Sequence, residues 1–368
     1  MNETKNNYVA NPPHFENSST RYAYLPEGQL LTTQRNRELT STLAGIERAM
    51  SMGIILEGMA LLCDGHLNLH IDFPQIPSAV AVIPKEEVVF PLDGEPVKDI
   101  AILTRVGKAV CFKVMGIDMR EGVPHILLSR RAAQAECATN YLSTLIPGDI
   151  IPARVTHTES FGAFVDIGCG SPSLLSVDTI SISRISHPAD RLKNGQYIWA
   201  VVRAKTDGSF GIPKRIFVST KELLGTWEEN ASAYRAGQTV VGIVRSVEEY
   251  GVFVELAPNL TGLAELKEKP SGDTSHKNAI HAMVGKSVAV FIKSIQPDRM
   301  KIKLVLIDGY IDDATTPPMG ADRYKKEGVQ IPPLPYFIDG NRCAHISRWV
   351  YSPVGASKLV ESVFDEVE

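Results

Sequence analysis

One pattern occurs twice in this chain and limits its fold more than any other feature. Phe161-Gly162-Ala163-Phe164-Val165-Asp166-Ile167-Gly168 returns about ninety residues later as Tyr250-Gly251-Val252-Phe253-Val254-Glu255-Leu256. Each copy sets two aromatics three residues apart around a glycine, then alternates apolar and acidic residues as a strand does. Each follows another strand-like run, Gly148 to Val155 in the first case and Gly237 to Val244 in the second. A repeated pattern of this length means that one small β module is used more than once.

The rest of the chain divides around these copies. Residues 1–34 are rich in Asn, Ser, Thr and Pro and read as a flexible leader, and residues 35–52 read as one helix with Leu39, Leu43, Ile46 and Met50 on a face. Three β-rich segments follow, at 53–135, 146–222 and 237–307, each with five short strands suited to a small closed barrel. Helix formers link them, at Ser129–Glu136 and around Ser219–Asn230. Residues 308–368 form an extension interrupted by Pro317-Pro318 and Pro332-Pro333, with a compact piece at His345–Tyr351 and a helix expected over Ser357–Phe364. The proline run reads as an extended spacer in preference to a ligand for a proline-binding domain.

Composition excludes several function classes. No apolar run is long enough for a membrane span, and the polar start Met1-Asn2-Glu3-Thr4 lacks a secretory core. Five scattered cysteines without a C-x-x-C pair fit free thiols in a reducing cytoplasm, not disulfides or zinc. His66 and His70 lie four apart in a strand, a spacing that does not imply a metal. No phosphate loop, zinc-protease helix or nucleophile elbow is present, so neither an enzyme nor a cofactor is expected. Asp166 and Glu255 fall at equivalent positions, where alternation makes them exposed strand residues and not catalytic acids. The net charge is -4, yet Ile146–Gly225 and Gly237–Ile307 each carry nine basic against seven acidic residues. Met50–Ala135 carries eight against ten, so the segments with the aromatic pairs are the mildly basic ones.

Such a barrel, with exposed rings beside cations, suits unpaired nucleic acid, because every base has a π-face and phosphates seek positive charge. The second module resembles the S1 RNA-binding domain, the OB-fold repeat of the largest protein of the bacterial small ribosomal subunit. The resemblance runs through Gly148-Asp149-Ile150, the Phe161–Gly168 segment, Leu174–Val177, Arg191–Gln196 and Lys214–Lys221. The third module matches at Gly237, Tyr250–Phe253, Gly262-Leu263, Val284–Lys286 and Lys301–Leu304, and the first more loosely at its close, Val106–Val110 and Leu127–Arg131.

The resemblance implies that two aromatics, a histidine, an acid and a base touch RNA. In the second module these correspond to Phe161 and Phe164, to Ser176 in place of the histidine, to Asp207 (with the register between Gly208 and Pro213 left open), and to Arg215 beside Lys214. His157, just before the aromatics, either compensates for Ser176 or is an ordinary surface histidine. In the third module Tyr250, Phe253 and Lys301 correspond, while Glu265 takes the histidine position and should weaken phosphate binding. The first module has Cys63–Leu69 where the aromatics belong, and the resemblance implies docking to protein, with the small ribosomal subunit as the partner. The implied function is holding single-stranded mRNA in bacterial translation. A protein scaffold, a role in RNA turnover or transcription, and a single-stranded DNA binder of a mobile element stay open.

Overall fold

The computed structural model of the protein describes residues 24–91, 97–208, 211–265, 283–310 and 333–364. Most of the expected leader and the Pro317-Pro318 pair lie outside the described residues. The fold is mainly β, with three closed five-stranded barrels. The first barrel has β1 Leu56–Cys63, β2 Leu69–Asp72, β3 Val80–Ile83, β4 Ala109–Arg120 and β5 Val123–Ser129. The second has β6 Ile150–Glu159, β7 Gly162–Asp166, β8 Pro172–Ser176, β9 Tyr197–Thr206 and β10 Arg215–Ser219. The third has β11 Thr239–Glu248, β12 Gly251–Ala257, β13 Leu260–Glu265, β14 Ser287–Gln296 and β15 Lys301–Tyr310. In all three the third strand closes onto the fifth in parallel, and the other pairings are antiparallel.

Alternation explains the interiors. Val155, Ala163, Val165, Leu175, Ile198 and Val218 turn inward in the second barrel, and Val244, Val252, Val254, Ile292 and Leu304 in the third. A bulge in the first strand of each barrel, at Ala60/Leu62, Val155/His157 and Val244/Ser246, lets the sheet curl enough to close.

The helix expected over 35–52 is two helices, α1 Gln34–Thr40 and α2 Leu43–Ser51. Thr42 causes the break: its backbone is extended and its hydroxyl accepts from Gly45 N, which makes it the N-cap of a new helix. A short helix, α3 Asp99–Leu103, lies within the first barrel. Then α4 Arg130–Cys137, capped by Ser129, leads into the second barrel. That barrel carries the single turn α5 Val177–Ile180, and α6 Trp227–Ala231, opened by a Thr226–Glu229 capping box, leads into the third.

Two further expectations need correction. The described end of the leader is docked: Leu25 and Glu27 are buried, and Glu27 pairs with Arg130 at 2.6 Å. Its mate is an inward-facing guanidinium at the start of α4, a contact that the polar composition of residues 1–34 does not announce. The segment Ser357–Phe364 is no helix. Its core is β17 Glu361–Val363, paired antiparallel with β16 Arg348–Val350. The hairpin lets Trp349, Tyr351 and Phe364 pack onto the third barrel, a burial that outweighs local helix preference.

Candidate nucleic-acid interface

The aromatic pair of the second barrel lies on its outside. Phe161 is 54% and Phe164 36% exposed, with ring centroids 6.0 Å apart at 88°. Phe161 sits in the turn before β7 and Phe164 on the strand itself, so both reach water without a distortion of β7. Gly162 therefore serves close packing and not a bulge, because a Cβ there would come within 2.6 Å of the Leu175 carbonyl oxygen. The third barrel repeats the arrangement, with Tyr250 and Phe253 rings 6.1 Å apart at 89° and Tyr250 61% exposed.

Strand pairing brings the remaining residues around these rings. His157 stands across from Phe164, Phe164 across from Leu174, and Leu174 across from Phe217. These four form a row over one outer face, with neighbouring strands roughly 4.8 Å apart. His157 Nε2 lies 2.6 Å from Glu159 Oε1 in the open. Arg215 is exposed and lies two residues from Phe217 on β10, hence on the same face. Lys214 and Asp207 are exposed in the connection between β9 and β10, where Lys214 N donates to Thr206 O at 3.1 Å. Ser176 pairs with Gly162 at the end of β8, and its hydroxyl bonds to the Asp178 carboxylate. That bond, ahead of the nearby cations Arg203 and Lys221, holds the Asp178 carboxyl below its usual range despite partial burial.

The third barrel builds the same row from Ser246, Phe253, Leu263 and Lys303. Lys301 corresponds to Arg215 in this register, and Glu265 to Ser176, since Glu265 pairs with Gly251 as Ser176 does with Gly162. Lys303 Nζ lies 3.3 Å from Glu265 Oε1, so part of that carboxylate's charge is balanced by the strand beside it. The first barrel gives Leu62, His70, Val82 and Leu127 in the row, with Leu62 48% and Leu127 47% exposed. A stacking surface is replaced there by an apolar one.

Phe217 was not singled out from the sequence. Its signal is register, since it shares a face with Arg215 two positions away. Asp166 and Glu255 overturn the expectation that they are exposed. Both are buried, at 3% and 5%. Asp166 accepts from the backbone N–H groups of Glu27 (2.7 Å), Gly168 and Gly170 (2.9 Å each). Glu255 accepts from Arg191 at 2.5 Å and Arg245 at 2.6 Å. Alternation does point both side chains away from their own barrel interior, but the neighbouring module covers them.

Asp166 belongs to a buried acidic group with Glu27 and Glu57. Burial opposes the charged form of Glu27, but the Arg130 and Arg105 guanidiniums outweigh it and hold this carboxyl below its usual value. Burial and then the Glu27 charge push Glu57 up to about 8 and Asp166 up to about 7. All five cysteines are free, and among the described residues no group of three or more His, Cys, Asp or Glu could hold a metal. Among the same residues no helix is long and apolar enough to cross a membrane.

The S1 RNA binding domain family matches residues 144–207. Small ribosomal subunit protein bS1 of Neisseria meningitidis is 30% identical over 267 residues, covering 70% of this chain and 44% of that protein. The protein of the same name from Rhizobium meliloti is 28% identical over 235 residues, covering 62% and 39%. The chain thus spans less than half the length of either relative. A solved multidomain protein with nucleic acid binding domains from Streptococcus pneumoniae matches over 69% of this chain and 73% of that one. The two are 15% identical, with a TM-score of 0.22.

Proposed function

The chain is an S1-like protein of repeated S1/OB barrels, and from that premise we propose that it holds single-stranded RNA on the outer faces of its second and third barrels. The observation that supports this most is the right-angled aromatic pair on the outside of both barrels, with Phe161, Phe164 and Tyr250 exposed and Phe253 half-buried, followed in register by Arg215 or Lys301. Rings supply stacking to any base, and the cations supply an attraction to phosphate that weakens with salt. The second barrel is the stronger site, with Phe161, Phe164, Phe217, His157, Lys214 and Arg215 on or beside one face and Asp207 at its edge. The third carries Tyr250, Phe253 and Lys301 against the opposing charge of Glu265. Ser176 lines the second site as a hydroxyl committed to Asp178.

The relatives named for the small ribosomal subunit support the bacterial ribosome as the setting, and in that setting the strand of this reading is mRNA. The first barrel has a separate part in this reading. Its row of Leu62, His70, Val82 and Leu127 is largely apolar and has no aromatic pair, which favours protein docking, with the small ribosomal subunit as the partner.

Fluorescence anisotropy with a short single-stranded RNA over a salt series tests the central claim. Affinity is expected to fall steadily with salt, and the Phe161→Ala/Phe164→Ala variant to lose roughly 1–3 kcal/mol per stacked base. Parent-like binding by that variant overturns the platform. Tighter binding of the matching DNA strand would move the reading from RNA to DNA, since the 2′-hydroxyl separates the two.

A further inference from the structure

The acids Asp166 of β7 and Glu255 of β12 occupy one position of the repeat. Asp166 and Glu255 each lie four residues beyond the glycine that opens the strand. Each is buried against the module that precedes its own. Asp166 receives the Glu27 backbone N–H from the segment before the first barrel. Glu255 receives Arg191 from the second barrel. The contact between the second and third barrels is reciprocal. Arg191 of the second reaches Glu255 of the third, while Arg245 of the third lies 3.6 Å from Asp190 of the second. All four side chains are under one-tenth exposed.

Two more sets of contacts fix the same joint. The loop after α5 docks on the β12–β13 turn: Ile182 N donates to Asn259 Oδ1 at 2.9 Å, and Ser183 N to Pro258 O at 3.0 Å. The C-terminal segment then crosses both barrels. On the second barrel, Ile150 N donates to Ala344 O at 3.0 Å, Ile346 N to Gly148 O at 2.9 Å, and Trp199 N to Tyr336 Oη at 3.0 Å. On the third, Tyr351 Oη donates to Asn259 O at 2.6 Å and Ser357 N to Asp298 O at 2.9 Å. Trp199 and Val201 of the second barrel, Val252 and Val290 of the third, and Trp349 and Tyr351 of the segment share one apolar core.

The lock leaves the aromatic faces open. Phe161 and Tyr250 stand at the opposite end of their strands from the acids, five residues and so roughly 16 Å away at strand rise, and both are more than half exposed. We propose that the second and third barrels form one rigid binding unit, closed by the C-terminal segment, whose preferred ligand is a single strand long enough to occupy both aromatic faces at once. A strand held by one face meets the other at a fixed and high effective concentration, which a loose linker would dilute. This inference rests on the reading of the barrels as RNA binders.

The test compares two oligouridylates on the full chain, one of about 6 nucleotides to suit one barrel and one of about 20 to cross two. The variants are Asp190→Asn/Arg191→Met, which removes the second barrel's side of the ion pairs, and Tyr351→Phe, which removes one hydroxyl from the clamp. Both variants are expected to bind the short strand within about twofold of the parent. The long strand should weaken by about tenfold or more in the first variant and less in the second. Equal loss for both lengths in Tyr351→Phe, or no loss for the long strand in either variant, overturns the rigid unit and leaves RNA binding standing. A parent that binds neither strand overturns the RNA reading itself and with it this inference. Loss of the short strand in the double variant alone signals misfolding, and Tyr351→Phe then decides the matter.

Discussion

Three carboxyl groups buried together make the N-terminal joint sensitive to pH. Glu57 and Asp166 have folded values near 8 and 7, raised by burial and by the Glu27 charge, whereas in an unfolded chain they ionise as ordinary acids. A raised value favours the protonated folded state, so their contribution is full below the unfolded values and is lost as pH rises through 7 and 8. Glu27 and Glu255, held low by guanidiniums, lose their contribution only when pH falls, which separates the two effects. Thermal melts should therefore show stability declining by about 2 kcal/mol or more from about pH 5.5 to pH 8.5. Glu57→Gln should flatten much of that slope, and a parent profile already flat over this window refutes the account. Sequence reading could place Phe161 and Phe164 on an outer face, because rings around a repeated glycine stand out, whereas Arg215 and Lys301 follow only from the resemblance to S1 domains. It misplaced Asp166 and Glu255 for a physical reason: a period of two states which side chains leave the barrel interior, but not whether another module covers the outside.

At the scale of the strand, β7 and β12 each carry two tasks, an aromatic pair at one end and a buried acid at the other. Their opening glycines make both possible by letting the strand approach its neighbour. A Cβ at Gly162 would meet the Leu175 carbonyl at 2.6 Å, and one at Gly251 the Ala264 carbonyl at 2.7 Å. Gly162→Ala is expected to cost roughly 1–3 kcal/mol of stability, since backbone and not a flexible side chain must move. Calorimetry should register this, and RNA affinity should fall as the Phe161 turn shifts; an unchanged melting temperature contradicts the packing argument. The barrels were legible from alternation because each strand's partners lie in the same module. The hairpin of β16 and β17 was not, because what stabilises it is the third barrel's surface, which no local periodicity reports. Thr42 shows the converse case, where a single capping hydroxyl splits a helix whose apolar spacing runs straight through it.

Across the whole molecule the same fold presents three different outer faces in one register: apolar in the first barrel, aromatic and basic in the second, aromatic with mixed charge in the third. Exchanging the apolar face should separate the two functions proposed for them. Leu62→Asp/Leu127→Asp is expected to leave affinity for single-stranded RNA within about twofold, since neither residue touches an aromatic face, and to reduce co-sedimentation with small ribosomal subunits. Unchanged co-sedimentation would remove the first barrel from that contact. The clamp across the later barrels has a temporal side as well. His345 meets Asp149 across 196 positions of sequence, and Tyr336 meets Trp199 across 137. During synthesis both aromatic faces, and the ion pairs of Arg191 and Arg245 that join their barrels, leave the ribosome before the C-terminal residues that close over them. A newborn chain thus has a joint held by ion pairs first, and gains the clamp only when β16 and β17 arrive.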